Sequence, residues 1–93
     1  MEEVSIKDWF SDKLASELNL PRLYYLSIFC GLKETEKAVY ALFFTGYDAT
    51  GRFAKHRCHW IPKSAIENFE QLEMISEYDE AVVALKNKYE MYS

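Results

Sequence analysis

The segment from Ala54 to Ser64 reads AKHRCHWIPKS and places His56, Cys58 and His59 within four positions, beside Trp60 and among Lys55, Arg57 and Lys63. Imidazole and thiolate are the usual ligands of zinc and the usual partners in nucleophilic catalysis. Cationic side chains interleaved with aromatic ones also suit a nucleic-acid contact. A fourth possibility is a β-strand with a basic outer row, and the alternation of side chains favours it. If Arg52 to Ile61 is extended, Arg52, Ala54, His56, Cys58 and Trp60 share one face, and Phe53, Lys55, Arg57, His59 and Ile61 share the other. The first row should face the core. The second should face water, with its apolar ends at the margins.

This alternation parts His59 from His56 and Cys58, so the three cannot converge on one ion unless the strand breaks. A zinc site would have to recruit Cys30 and a fourth ligand, and the spacing matches no zinc pattern. No metal and no cofactor are expected. A catalytic Cys58 would need an imidazole within hydrogen-bond reach and a third group to orient it. The chain carries no glycine-rich phosphate loop, nucleophile elbow or HExxH helix, and Asp48 and Glu36 read as turn residues. The expectation is a protein that is not an enzyme.

Two charged surfaces remain. Lys55, Arg57 and His59, with Arg52, Lys63 and Phe53 nearby, could meet phosphates while an aromatic ring stacks on a base. Outward charges on strands also serve to block edge-to-edge aggregation. The second surface is acidic. Glu67, Glu70, Glu73, Glu77 and Glu80 recur at intervals of three and four, which on a continuous helix would make one negative ridge, bent if Ser76 interrupts it. Such a ridge is either a solvated helix face or a phosphate-like patch offered to a basic groove of another protein. Tyr24, Tyr25 and the stretch Tyr89 to Tyr92 could supply aromatic anchors for an interface or finish the core.

The elements that must position these residues follow from local signals. Ser5 and Asp8 form a capping-box pattern, Val4 and Trp9 a hydrophobic staple, and Ile6, Phe10, Leu14 and Leu18 a stripe at four-residue spacing. Asn19 suits a left-handed cap and Pro21 a stop. Leu23 to Leu32 and Ala38 to Thr45 read as a hairpin across KETEK, apolar on both faces and so suited to central positions in a sheet. A glycine-bounded turn over 46–51 leads into the third strand, which Pro62 closes. Ser64 with Glu67 and Ser76 with Asp79 repeat the capping pattern. They predict one helix carrying Ile66, Phe69, Leu72 and Ile75, and another carrying Tyr78, Val82, Leu85 and Tyr89. The expected fold is a small single α+β domain spanning 1–93, in the order α-β-β-β-α-α, with an antiparallel three-stranded sheet packed by helices.

The bulk numbers agree with one folded domain: 93 residues, 49% hydrophobic, 16% aromatic, with three glycines and two prolines. No apolar run approaches the ~18–20 residues that span a bilayer, so no membrane association is expected. Met1-Glu2-Glu3 lacks the basic start of a secretory signal, so Cys30 and Cys58 are expected to be reduced and the protein cytoplasmic. A net charge of −4 opposes nonspecific binding to nucleic acid. The charge is blocked: four Lys/Arg and no acid lie between Ala49 and Ile66, then six acids and no Lys/Arg between Glu67 and Glu80.

The segments TEKAVYALFF and HWIPKSAIE resemble a pattern in small, mostly uncharacterised proteins of phages and other mobile elements. In those proteins a lysine-alanine strand pairs with a strand ending in Trp-(Leu/Ile)-Pro-Lys-Ser. The matching positions here are Lys37, Ala38, Trp60, Ile61, Pro62, Lys63 and Ser64. The likeness covers about a third of the chain, and the basic H-R-C-H before Trp60 departs from it. The resemblance implies an accessory protein in the host cytosol that binds a host protein or protein–nucleic-acid complex. Its implied action is anti-CRISPR-like inhibition of a nucleic-acid-guided defence; the glutamate ridge, read from its spacing, is the feature that supports this and the expected contact. Direct nucleic-acid binding through the basic strand is the alternative, and a homodimer is compatible with either.

Overall fold

A computed structural model describes residues 4–19 and 27–90. Its centre is a strand with large side chains on both faces, β3 (Ala38–Tyr47, AVYALFFTGY), which lies between β2 (Ser27–Glu34) and β4 (Ala54–Pro62). β1 (Val4–Ser5) completes an antiparallel four-stranded sheet in the order β1-β2-β3-β4. The hairpin between β2 and β3 closes where Thr35 and Ala38 exchange hydrogen bonds, the Thr35 hydroxyl accepting from the Ala38 N–H at 3.1 Å. In the β3–β4 turn, Asp48 Oδ1 accepts from the Thr50 N–H and hydroxyl at 3.1 and 2.6 Å. Gly46 (φ 120°) and Gly51 (φ 73°) supply backbone angles that other residues resist.

Helix α1 (Asp8–Glu17) covers one face of the sheet and α2 (Tyr78–Tyr89) the other. Phe10 and Leu14 pack with Ile28, Val39, Ala41, Phe43 and Ile61. On the opposite face Ala81 and Leu85 pack with Cys30, Leu32, Leu42 and Ala54, flanked by Phe44, Cys58 and Tyr89. Burial on both faces is what the continuous apolar runs of β2 and β3 require. Each fully buried side chain such as Phe43 or Leu42 contributes about 1.5–3 kcal/mol of transfer free energy. Asn19 takes the expected left-handed conformation, φ 57°. Pro21, the start of the first apolar run, Tyr24, Tyr25, Met91 and Tyr92 lie outside the described residues.

Three expectations are corrected. The sheet has a fourth strand, because Val4 and Ser5 pair with Ile28 and Ser27 instead of opening the helix. Ser5 therefore caps nothing: its hydroxyl donates to Glu67 Oε2 at 3.2 Å, and α1 begins after Lys7 without a side-chain cap. The helix expected over Ile66 to Ile75 is absent. In its place are two 3-10 turns, Lys63–Ala65 and Phe69–Gln71, and an extended run into α2.

The reason is tertiary. Asn68 sits at φ 58° and breaks any helix there. The backbone finds partners elsewhere: Lys7 N–H to Ala65 C=O (2.8 Å), Glu67 N–H to Ser5 C=O (2.9 Å), Gly31 N–H to Glu73 C=O (2.9 Å) and Ile75 N–H to Gly31 C=O (2.8 Å). Ile66, Phe69 and Leu72 join the cluster under α1, whereas Ile75 joins the one under α2. The segment 66–77 is thus a strap that wraps the β1–β2 flank of the sheet from one face to the other. A straight helix cannot reach both. The capping pattern at Ser76 is likewise unused, since α2 starts after Glu77 with no side-chain cap.

Candidate functional site

The alternation through β4 is realised. Ala54 is buried and His56 and Cys58 are half-buried toward α2, while Lys55 and Arg57 are exposed on the other face. The ends of the two rows depart from expectation. Ile61, expected at a solvated margin, is fully buried beneath α1, and Trp60, on the inward row, is 42% exposed. The end of α2 lies over the Ala54 end of β4, where the Tyr47 hydroxyl donates to the Tyr89 carbonyl at 2.8 Å. The Trp60 end is left to Tyr40, whose ring centroid lies 5.3 Å away.

The imidazoles and thiols do not gather. His56 Nε2 is 3.0 Å from the Tyr78 hydroxyl, and its Nδ1 is buried without a hydrogen-bond partner. Burial, then the charges of Lys86 and Arg57, hold His56 below its ordinary pKa. His59 points the other way, with Nδ1 2.8 Å from the Trp60 carbonyl and Nε2 3.5 Å from a Glu17 carboxylate oxygen. Cys30 and Cys58 both sit opposite Leu42, one on each side. They are two strand spacings apart, about 9–10 Å, beyond disulfide reach. Burial, reinforced by Glu73 and Cys58, pushes the Cys30 thiol up to about 12, and burial also raises Cys58. A reactive cysteine needs the opposite shift. Among the described residues no group of three His, Cys, Asp or Glu side chains could hold a metal ion.

The basic residues do not form one cluster. Lys55 and Arg57 stand on β4; Arg52 and Phe53 lie in the turn before it, Phe53 being 56% exposed. Lys63 is committed elsewhere. It pairs with Glu34 at 2.5 Å and lies 5.2 Å from the centroid of the Phe69 ring.

The glutamates are all exposed, but on the strap and the start of α2, not along one helix. Glu67 accepts from Ser5, and among the described residues Glu70, Glu73, Glu77 and Glu80 make no ion pair. The strap runs beside β2 at Gly31, and β4 is the opposite flank. At Glu73 the strap is therefore separated from β4 by three strand spacings, about 14 Å, whereas Glu77 adjoins Tyr78, whose hydroxyl reaches His56 on β4.

One structural feature was missed. Among the described residues β4 is an edge strand, and its outward backbone groups can be identified. Phe53 C=O and Lys63 N–H bond inward, to Asp48 N–H and Lys37 C=O, whereas Ala54 N–H bonds Glu90 Oε2 at 2.8 Å. Backbone direction alternates along a strand, so His56, Cys58 and Trp60 present N–H and C=O outward. The lysine and arginine row and the closing Pro62 were the available signals of an edge.

No family model matches the chain, and no curated protein or solved structure matches it significantly. Among the described residues no helix is long and apolar enough to cross a membrane.

Proposed function

We propose that the protein is a non-enzymatic docking module that presents the glutamates of its strap to a basic groove of a macromolecular partner. In the setting the resemblance implies, that partner is a host protein or protein–nucleic-acid complex, and docking inhibits a nucleic-acid-guided defence, in an anti-CRISPR-like manner. The single observation that supports this reading is the state of Glu70, Glu73, Glu77 and Glu80. All four are exposed, and none is neutralised by a cation among the described residues. Carboxylates left unpaired keep their field for a partner, where complementarity gives speed and selectivity. The thiols' raised pKa values support the non-enzymatic part.

The test is affinity capture from host lysate with the wild-type chain and with the triple variant Glu70→Lys, Glu73→Lys, Glu77→Lys. A partner retained by wild type and lost by the variant is expected. Retention of the same partner by both overturns the role of the strap.

A second reading has its own support. Lys55 and Arg57 project from the same face of β4, about 6.5–7 Å apart by strand rise, and His59 continues the row. A row of this kind can follow a phosphate backbone while Phe53 stacks on a base. Changing Lys55 and Arg57 to Glu should then abolish salt-sensitive binding to a single-stranded oligonucleotide, which the strap variant should leave intact or improve.

A further inference from the structure

The open flank of β4 offers a second binding site with a different occupant. We propose that it takes an extended segment of a partner protein by strand addition, one in which acidic residues alternate with apolar ones. Three observations define that chemistry. First, among the described residues the edge is closed at both ends and free between them. Glu90 occupies the Ala54 N–H, Pro62 has no N–H, and the His59 ring contacts the Trp60 carbonyl. The outward groups of His56 and Cys58 and the Trp60 N–H remain. This is the repeating donor and acceptor pattern that an added strand satisfies.

Second, the two faces of this window differ. On one side stand Lys55 and Arg57, exposed, with His59. On the other lie Trp60, Tyr40 and Tyr78, with Trp60 42% and Tyr78 49% exposed. A strand laid along β4 places alternate side chains over each face, carboxylates opposite the cations and apolar groups against the aromatic rings.

Third, the fold already fills one position of this edge with a carboxylate, since Glu90 accepts the outward N–H of Ala54. A second copy of the chain is disfavoured by the same charges. Symmetric antiparallel pairing of two β4 edges sets Lys55 and Arg57 of one copy against the same basic row of the other, and like charges directly opposite are destabilising.

This site shares no residue with the strap, so the two can fail separately. The test uses synthetic peptides of about seven residues, matched to the window by strand rise: one alternating Glu with Val and Phe, and one with Lys in place of Glu. Binding is read by titration, and amide-proton exchange locates it. The acidic peptide should bind, slowing exchange of the His56, Cys58 and Trp60 amides. The double variant Lys55→Glu, Arg57→Glu should weaken it by on the order of tenfold and reverse the preference toward the basic peptide. Both substitutions lie on exposed positions, and the unliganded exchange pattern reports that the variant is folded. The proposal is overturned by any of three results: neither peptide binds; the acidic peptide binds without slowing those amides; or they are slowed instead by a single-stranded oligonucleotide or by raising protein concentration alone.

Discussion

His56 on β4 and Tyr78 at the start of α2 are joined by a 3.0 Å contact between the imidazole Nε2 and the phenol oxygen. The contact ties the outer strand to the helix that crosses its inner face. Neutral imidazole suits this place, because the neutral ring can leave the buried Nδ1 without a proton, whereas imidazolium must carry an N–H there, and among the described residues Nδ1 has no partner.

A pH dependence follows. His56 in the fold is held below the ordinary value of 6.5, chiefly by burial and then by Lys86 and Arg57. The unfolded chain takes up a proton near 6.5, whereas the folded chain resists until lower pH. In that window the unfolded state binds more protons, so stability is full above 6.5 and declines as pH falls below it. Urea midpoints measured across this range should fall in wild type, and His56→Gln should flatten part of the slope. An identical slope in the variant would show that His56 does not carry it.

Gly31 and Met74 define how the strap is seated. A Cβ on Gly31 would run into the Met74 sulfur and come within 3.0 Å of Val39 Cγ1. Gly31→Ala is therefore expected to cost roughly 1–3 kcal/mol in denaturant unfolding. Adding Met74→Ala should recover part of that loss, since the clashing atoms belong to the end of a flexible side chain. A Gly31→Ala loss that Met74→Ala leaves unrelieved would show that Met74 is not the group seated against Gly31.

Thiol reactivity gives a third measurement. The rise of Cys30 from 9.0 to about 12 lowers its thiolate fraction at mildly alkaline pH about a thousandfold. Iodoacetamide should label the native chain slowly, Cys58 ahead of Cys30, and both should react at ordinary thiol rates once denatured. Fast native labelling of Cys30 would contradict its placement between the sheet and α2.

How far the sequence discloses this molecule depends on the segment. The in-and-out order of β4 was legible from 54–61 because hydrophobic and charged residues alternate there, and only two faces exist to receive them. Exposure at the Trp60 end was not, since it depends on how much of β4 α2 covers. The strap was misread for a physical reason. Ile66, Phe69, Leu72 and Ile75 have helical spacing, yet they serve two cores on opposite sides of a sheet, and spacing says nothing about which core each one enters. The glutamates between them inherited that error: they are exposed, as foreseen, but the common helix expected of them does not form. β1 escaped because two residues carry no period, and Ser5 fits a cap as readily as a strand.

The wrapping of the β1–β2 flank has a kinetic consequence. β2, β3 and β4 are joined by short turns and can assemble through local contacts, but Gly31 must wait for Glu73 and Ile75 to return from far along the chain. Loop closure of that length is a late step in folding, and what zips up last tends to breathe first. Under native conditions this seam should open as a unit while the three-stranded meander stays shut.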